Sequence, residues 1–139
     1  MSRQDQYTST SKKEELYSDF HVDLNPHPEA GDVVRYVNEN AVKRSLRNLI
    51  LTNRYERLFQ PDIGSNINKL LFEPMGFSTA NSLKNFIIET ITNHEPRCKL
   101  IDVVIIPNED NHAYQVNIVF SIINKQDPIN LAITLYRVR

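Results

Sequence analysis

The chain has 139 residues, 40% of them hydrophobic, and 16 Lys and Arg against 17 Asp and Glu leave a formal net charge of -1. That length closes one ordinary core and excludes two full-sized domains, while the balanced charge excludes a whole-chain field able to hold nucleic acid or an anionic membrane. The single cysteine, Cys98, closes no internal disulfide, and three glycines are too few for a glycine-rich phosphate loop.

Residues 1–15 mix Ser, Thr, Gln, Lys, Asp and Glu with almost nothing to bury, which predicts a flexible N-terminal arm ahead of one domain over 16–139. Tyr17, Phe20, Val22, Leu24 and Val33-Val34, punctuated by Pro26, Pro28 and Gly31, predict two short edge strands or extended segments. Asn38 is the candidate N-cap of a first helix, whose apolar face is Val42, Leu46, Leu49 and Ile50 and whose end falls near Leu51. Phe59 to Gly64 carries the proline and glycine of a turn, and Ile67, Leu70 and Leu71 predict two helical turns before Pro74. Ser78 or Thr79 can cap a second long helix, striped by Leu83, Phe86, Ile87 and Ile91 and stopped at Glu95 by Pro96. The period then changes to two: strands are expected over Leu100 to Ile106, Tyr114 to Ile123 and Ile129 to Leu135, joined by short polar connections as an antiparallel meander. Helices followed by so small a sheet predict an α+β, two-layer domain, with helices packed on the C-terminal three-stranded meander and short strands at the N-terminus.

No uninterrupted apolar run approaches the roughly 18 residues of a membrane-spanning helix, and Met1 to Gln6 lacks the apolar stretch of a signal peptide. A soluble protein of a reducing compartment is the expectation, with no membrane partner. His94-Glu95 lacks the second histidine of a zinc-protease helix, because position 98 is Cys98, so no metal site is assigned. As a nucleophile, Cys98 needs a base and an orienting group that sequence does not supply. Glu73, Glu89, Glu95 and Asp102 are carboxylates available for glycoside hydrolysis, but nothing marks one as buried or raised in pKa. Lys43, Arg44, Arg47, Arg54 and Arg57, with Tyr55 and Phe59 among them, form a basic group read as a solvated or protein-facing surface, with nucleic acid as the less favoured reading. Glu95-Pro96-Arg97 stands apart, since a rigid proline fixes two opposite charges where helix gives way to strand. From chemistry alone it is a helix stop with a local ion pair.

Tyr17-Ser18-Asp19, Arg44 to Thr52, Glu56 to Gly64, Leu71-Phe72-Glu73-Pro74 and Glu95-Pro96-Arg97, in that order, resemble the baseplate wedge and sheath-initiator proteins of contractile tails, a family related to a type VI secretion baseplate subunit. The resemblance runs from about Tyr17 to the C-terminus. It departs at Tyr55, where the family commonly has glycine before the Glu-Arg pair, which leaves the shape of that turn open. The resemblance implies a bacteriophage-type virion structural protein without turnover, catalytic residues or cofactors, placed in the tail baseplate after assembly in the host cytoplasm. Glu95, Pro96 and Arg97 would dock on the helical core bundle of other wedge proteins, and Arg44, Arg47, Arg54 and Arg57 could face protein as well. The sheet would receive strands from tail sheath subunits by β-augmentation, which leaves either outer strand of the meander as the acceptor. About six copies in a sixfold baseplate follow by analogy. Because some members have carried a tail-lysozyme label, a peptidoglycan hydrolase using paired carboxylates is the alternative. On the scaffold reading, Arg97→Ala is expected to leave the monomer folded and weaken wedge binding.

Overall fold

The computed structural model describes residues 14–21, 23–29, 31–123 and 125–137, so the arm expected over 1–15 lies, apart from Glu14 and Glu15, outside the described residues. The elements in chain order are β1 (Ser18–Phe20), β2 (Arg35–Val37), α1 (Glu39–Leu51), α2 (Ile67–Leu70), α3 (Phe77–His94), β3 (Cys98–Asn108), β4 (Ala113–Ile122) and β5 (Lys125–Tyr136). β1 and β2 pair antiparallel, with Ser18 opposite Val37. β3, β4 and β5 form the expected meander, with β4 in the middle. The architecture is α+β, as the order of periodicities predicts.

Strict alternation on β4 sets the core. Tyr114, Val116, Ile118, Phe120 and Ile122 are buried, while Gln115 and Asn117 face solvent, as a strand covered on one face requires. Val103 from β3 and Ile129, Ile133 and Leu135 from β5 extend the same face. Onto it pack Leu83, Ile87 and Ile91 of α3, with Val42, Leu46 and Ile50 of α1 completing the cluster. Each such side chain, fully buried, contributes about 1.5–3 kcal/mol of hydrophobic free energy. Tyr114 is an exception inside this core, because its buried hydroxyl has no hydrogen-bond partner among the described residues. An unpaired buried hydroxyl costs about 1–3 kcal/mol, so Tyr114→Phe should raise the stability measured by urea unfolding by about 1 kcal/mol. A loss of stability would mean that the hydroxyl is bonded after all.

Several element ends differ from the expectations, each for a local reason. Asn38 sits at φ 49 and does not cap α1 with its side chain. Its Oδ1 instead accepts from the backbone N–H groups of Leu16 (2.9 Å) and Tyr17 (3.4 Å), and its Nδ2 donates to Glu14 O at 3.0 Å. This amide ties the incoming chain to the start of α1. Thr79 is inside α3, with its hydroxyl donating back to Pro74 O at 2.9 Å, and the helix begins at Phe77 after Gly76. α2 is a single turn over Ile67–Leu70. β5 begins at Lys125, opposite Ile122, so the β4–β5 connection is shorter than the predicted Asn124 to Pro128 segment and Pro128 lies inside the strand. The register shifts between Phe120 and Ile122, which accommodates the proline beside a bulge.

Candidate protein-docking site

The sequence of α3 ends where it must. Glu95 precedes Pro96, which disfavours helical geometry, and its N–H makes the last helical bond to Ile91 O at 2.9 Å before the chain turns into β3. The Glu95 side chain is only 3% exposed. Arg97 reaches it through both prongs of its fork, Nε to Oε1 and Nη2 to Oε2, each at 2.7 Å. Ser45, from the middle of α1, donates its hydroxyl to Oε2 at 2.6 Å. The Arg97 guanidinium also lies over the Tyr17 ring, 5.6 Å from its centroid. One carboxylate thus joins the end of α3 to α1, and one guanidinium joins it to the segment leading into β1.

Burial by itself would raise the Glu95 carboxyl, but the hydrogen bonds from Arg97 and Ser45 and the charge of Arg97 outweigh it and hold the group below its ordinary value. Glu95 therefore stays ionised, the opposite of what a general acid for glycoside hydrolysis needs. The other three candidate carboxylates, Glu73, Glu89 and Asp102, are exposed, and Asp102 is paired with Lys84 at 3.5 Å. Burial, with the Glu95 charge adding to it, pushes the Cys98 thiol up to about 11, and its Sγ donates to Glu95 O at 3.7 Å. A thiol so held is protonated near neutral pH and is a poor nucleophile. Among the described residues no three metal-ligating side chains converge, and no helix is long and apolar enough to cross a membrane.

The basic group divides in space. Arg44 packs over the Tyr36 ring of β2, 5.9 Å from its centroid, whereas Arg54 and Arg57 belong to the loop beyond α1 and Arg47 is exposed on the helix. That loop is stitched by Ser65 N–H to Thr52 O (2.8 Å), Arg54 N–H to Ser65 O (3.2 Å) and Tyr55 N–H to Pro61 O (2.8 Å). Ser65 is buried and donates its hydroxyl to Ile50 O near the end of α1, at 2.6 Å. Gly64 makes the stitching possible. At φ 137, a Cβ there would stand 2.8 Å from the backbone of Asn53 and Thr52. Tyr55, at the position where resemblance to the wedge family calls for glycine, takes φ 68 and is 76% exposed. A left-handed non-glycine residue costs about 1–2 kcal/mol. Glycine would remove that cost while losing about 0.5–1 kcal/mol to its freer unfolded chain. Tyr55→Gly should therefore leave the thermal midpoint unchanged or slightly higher; a clear drop would show that the ring is holding the loop.

Three segments quoted for the family resemblance, those containing Tyr17, Ser45 and Glu95-Pro96-Arg97, meet at this one ion pair. Ser45 and Tyr17 were not singled out by spacing or chemistry, and the only signal for them in the sequence is that they lie in matched segments.

The helices-on-meander layout is shared with chains of solved baseplates. The sequence pattern of the family described as baseplate wedge protein gp25 matches residues 37–127. Baseplate wedge protein gp25 of Enterobacteria phage T4 is 35% identical over 98 residues, covering 70% of this chain and 74% of that protein. The chain belongs to the baseplate wedge protein gp25 family. Among solved structures, a Geobacter sulfurreducens protein provisionally called a tail lysozyme superposes with a TM-score of 0.66 at 25% identity, over 70% of this chain and 89% of that one. A chain of the anti-feeding prophage baseplate gives 0.60 at 24% identity over 88% and 86%, and a chain of the post-contraction pyocin R2 baseplate gives 0.52 at 18% over 70% and 93%. The last two likenesses establish the fold.

Proposed function

We propose that this protein joins the baseplate wedge to the tail sheath, docking on the helical core bundle of the other wedge proteins through Glu95-Pro96-Arg97 and offering a sheet edge on which sheath polymerisation begins. The observation that supports the docking half is the convergence of Tyr17, Ser45, Glu95 and Arg97 on one ion pair whose carboxylate is buried and whose guanidinium is partly exposed. Arg97 spends Nε and one Nη2 hydrogen on Glu95, and its side chain remains 35% exposed, so the rest of the fork is open to carbonyls or carboxylates of a partner. Glu95 holds that fork in one orientation before any partner arrives, which lowers the ordering cost of binding. Arg47 on α1 and Arg57 in the loop beyond it are exposed as well. The anti-feeding prophage baseplate is sixfold; by analogy this chain is present in about six copies, assembled in the host cytoplasm and retained in the virion tail. The role requires no catalytic group, cofactor, nucleic acid or membrane, and Glu95, the buried one of the four candidate carboxylates, is held ionised, which does not suit the general acid of the hydrolase alternative.

The test is Arg97→Lys in a titration against the co-expressed wedge proteins of the same particle. Lysine keeps a positive charge beside Glu95 but cannot reproduce the planar fork. Affinity should fall by about tenfold or more while the variant remains folded. Unchanged affinity in a folded variant removes Arg97 from the docking surface.

A further inference from the structure

The stretch between α1 and α3 turns several large apolar side chains to solvent. Tyr55, Leu58 and Phe72 are exposed, and Phe59 is 99% exposed. Tyr55 and Phe59 also hold φ of 68 and 69, a left-handed conformation in which a bulky residue is strained. Neither ring belongs to the core cluster, so burial there returns nothing for that strain. The loop is nevertheless fixed. The backbone bonds of Arg54, Tyr55 and Ser65 described above close it, Asn53 N–H donates to Glu56 Oε2 at 2.8 Å, and Ile63 N–H donates to Gln60 O at 3.2 Å. Strained aromatic residues held outward without internal packing mark a surface shaped for something outside the chain.

Tyr55 and Phe72 line one depression of about 210 Å³, whose wall also includes Arg54, Lys69, Asn66 and Asn68. No described carboxylate lines it. Arg35, Lys84, Arg97 and Lys125 have carboxylate partners within the chain, whereas Arg54 and Lys69 have none among the described residues. Glu56, the acid closest to Arg54 in sequence, is engaged by the Asn53 amide. Two unpaired cations beside two aromatic rings suit one negative charge with an apolar group next to it. Nucleic acid is the poorer fit, because two cations are too few to hold a polyanion and Glu56 and Asp62 stand in the same loop.

We propose that this depression is a second docking site, separate from Glu95-Pro96-Arg97, and that its occupant is a segment of another baseplate protein in which an Asp or Glu stands next to a bulky apolar residue. Arg54 and Lys69 hold the carboxylate, and the apolar side chain lies against Tyr55 and Phe72. Asn66 and Asn68 supply neutral donors and acceptors for the segment's backbone. Because the loop is already fixed by its own hydrogen bonds, little ordering is left to be done on binding. The site uses no residue of the Glu95 cluster, so each docking surface can fail without the other. It also divides the basic group: Arg54 works with Lys69 of α2, not with Arg44 or Arg47.

Carbodiimide coupling in intact particles reads the occupant directly, because it joins a lysine amine to a carboxylate in contact with it. The Lys84–Asp102 pair, 3.5 Å apart, is the internal control. With that pair coupled, mass spectrometry should find Lys69 joined to an Asp or Glu of another baseplate protein that neighbours a bulky apolar residue in sequence. Phe72→Ser, at an exposed position, should leave the melting curve of the purified chain unchanged and lower that link, or the entry of the chain into particles, about tenfold or more. If Phe72→Ser fails to fold, Tyr55→Gly makes the same test. Lys69 left uncoupled while Lys84 is coupled would overturn the proposal, as would an undiminished link in a folded variant. A link to an acid of a second copy of this chain, recognised by isotope mixing, would assign the depression to self-association and overturn it. So would a labelled oligonucleotide that the native chain shifts at low salt and Arg54→Gln does not, since that result assigns the cations to nucleic acid.

Discussion

Arg97→Ala should lower the stability of the isolated protein by about 2–3 kcal/mol in chemical unfolding. Removing one partner of a buried ion pair costs about 3–5 kcal/mol, because the other charge is left without compensation. Glu95 would keep only the Ser45 hydroxyl and the backbone N–H of residue 97. The lower figure is expected because the Arg97 side chain is itself 35% exposed, so water can follow it out and hydrate the carboxylate. The variant also has a pH signature. The Glu95 carboxyl is held below its ordinary value of 4.5 in the folded protein. A group depressed in this way stabilises the fold above the unfolded value, and that contribution disappears as pH falls through the lower folded value. The deficit of Arg97→Ala against the native chain should therefore be full at pH 7 and shrink progressively below about pH 4.5. Adding Glu95→Gln to the variant should recover part of the loss at pH 7. A deficit independent of pH would assign the effect to lost packing on Tyr17. A loss of this size would amend the expectation drawn from sequence that Arg97→Ala leaves the monomer intact; alanine would then not isolate binding, and the conservative lysine is the better probe of the proposed docking.

Leu83→Ala is the second large effect, at about 2–5 kcal/mol. Leu83 has no exposed surface and lies on the stripe with which α3 meets the sheet, between the levels of Ala80 and Ile87. Its loss removes transfer free energy and leaves a cavity that the rigid strand beneath cannot fill. The denaturant slope should stay unchanged while the midpoint falls. A midpoint within error of the native chain would mean that α3 turns a different face to β4.

The long elements were legible because one periodicity ran through each of them. The 3.6-residue spacing of Leu83, Ile87 and Ile91 and the two-residue alternation from Tyr114 to Ile122 left little choice of partner face. The ends were less legible, since they depend on hydrogen bonds to distant chain. Asn38 has the composition of an N-cap, yet its amide is occupied by Glu14, Leu16 and Tyr17, which no local rule relates to it. Pro128 reads as a strand breaker, yet it lies inside β5 where the register shifts beside a bulge, a place in which a strand tolerates proline. At the site, Glu95-Pro96-Arg97 could be singled out from three adjacent residues, and the local ion pair expected from chemistry is present. Its third arm could not be seen, because Ser45 lies 50 positions away. The basic group illustrates the same limit in reverse. Four arginines close in sequence suggested one surface, but Arg44 turns to Tyr36 while Arg54 and Arg57 leave with the loop.

Cross-linking mass spectrometry of intact, sheathed particles tests the central claim most directly, because the exposed Lys99 lies two residues beyond Arg97 at the start of β3. The account predicts that Lys99 links to other wedge proteins. Links from Lys99 to sheath alone, with none to a wedge protein, would contradict it.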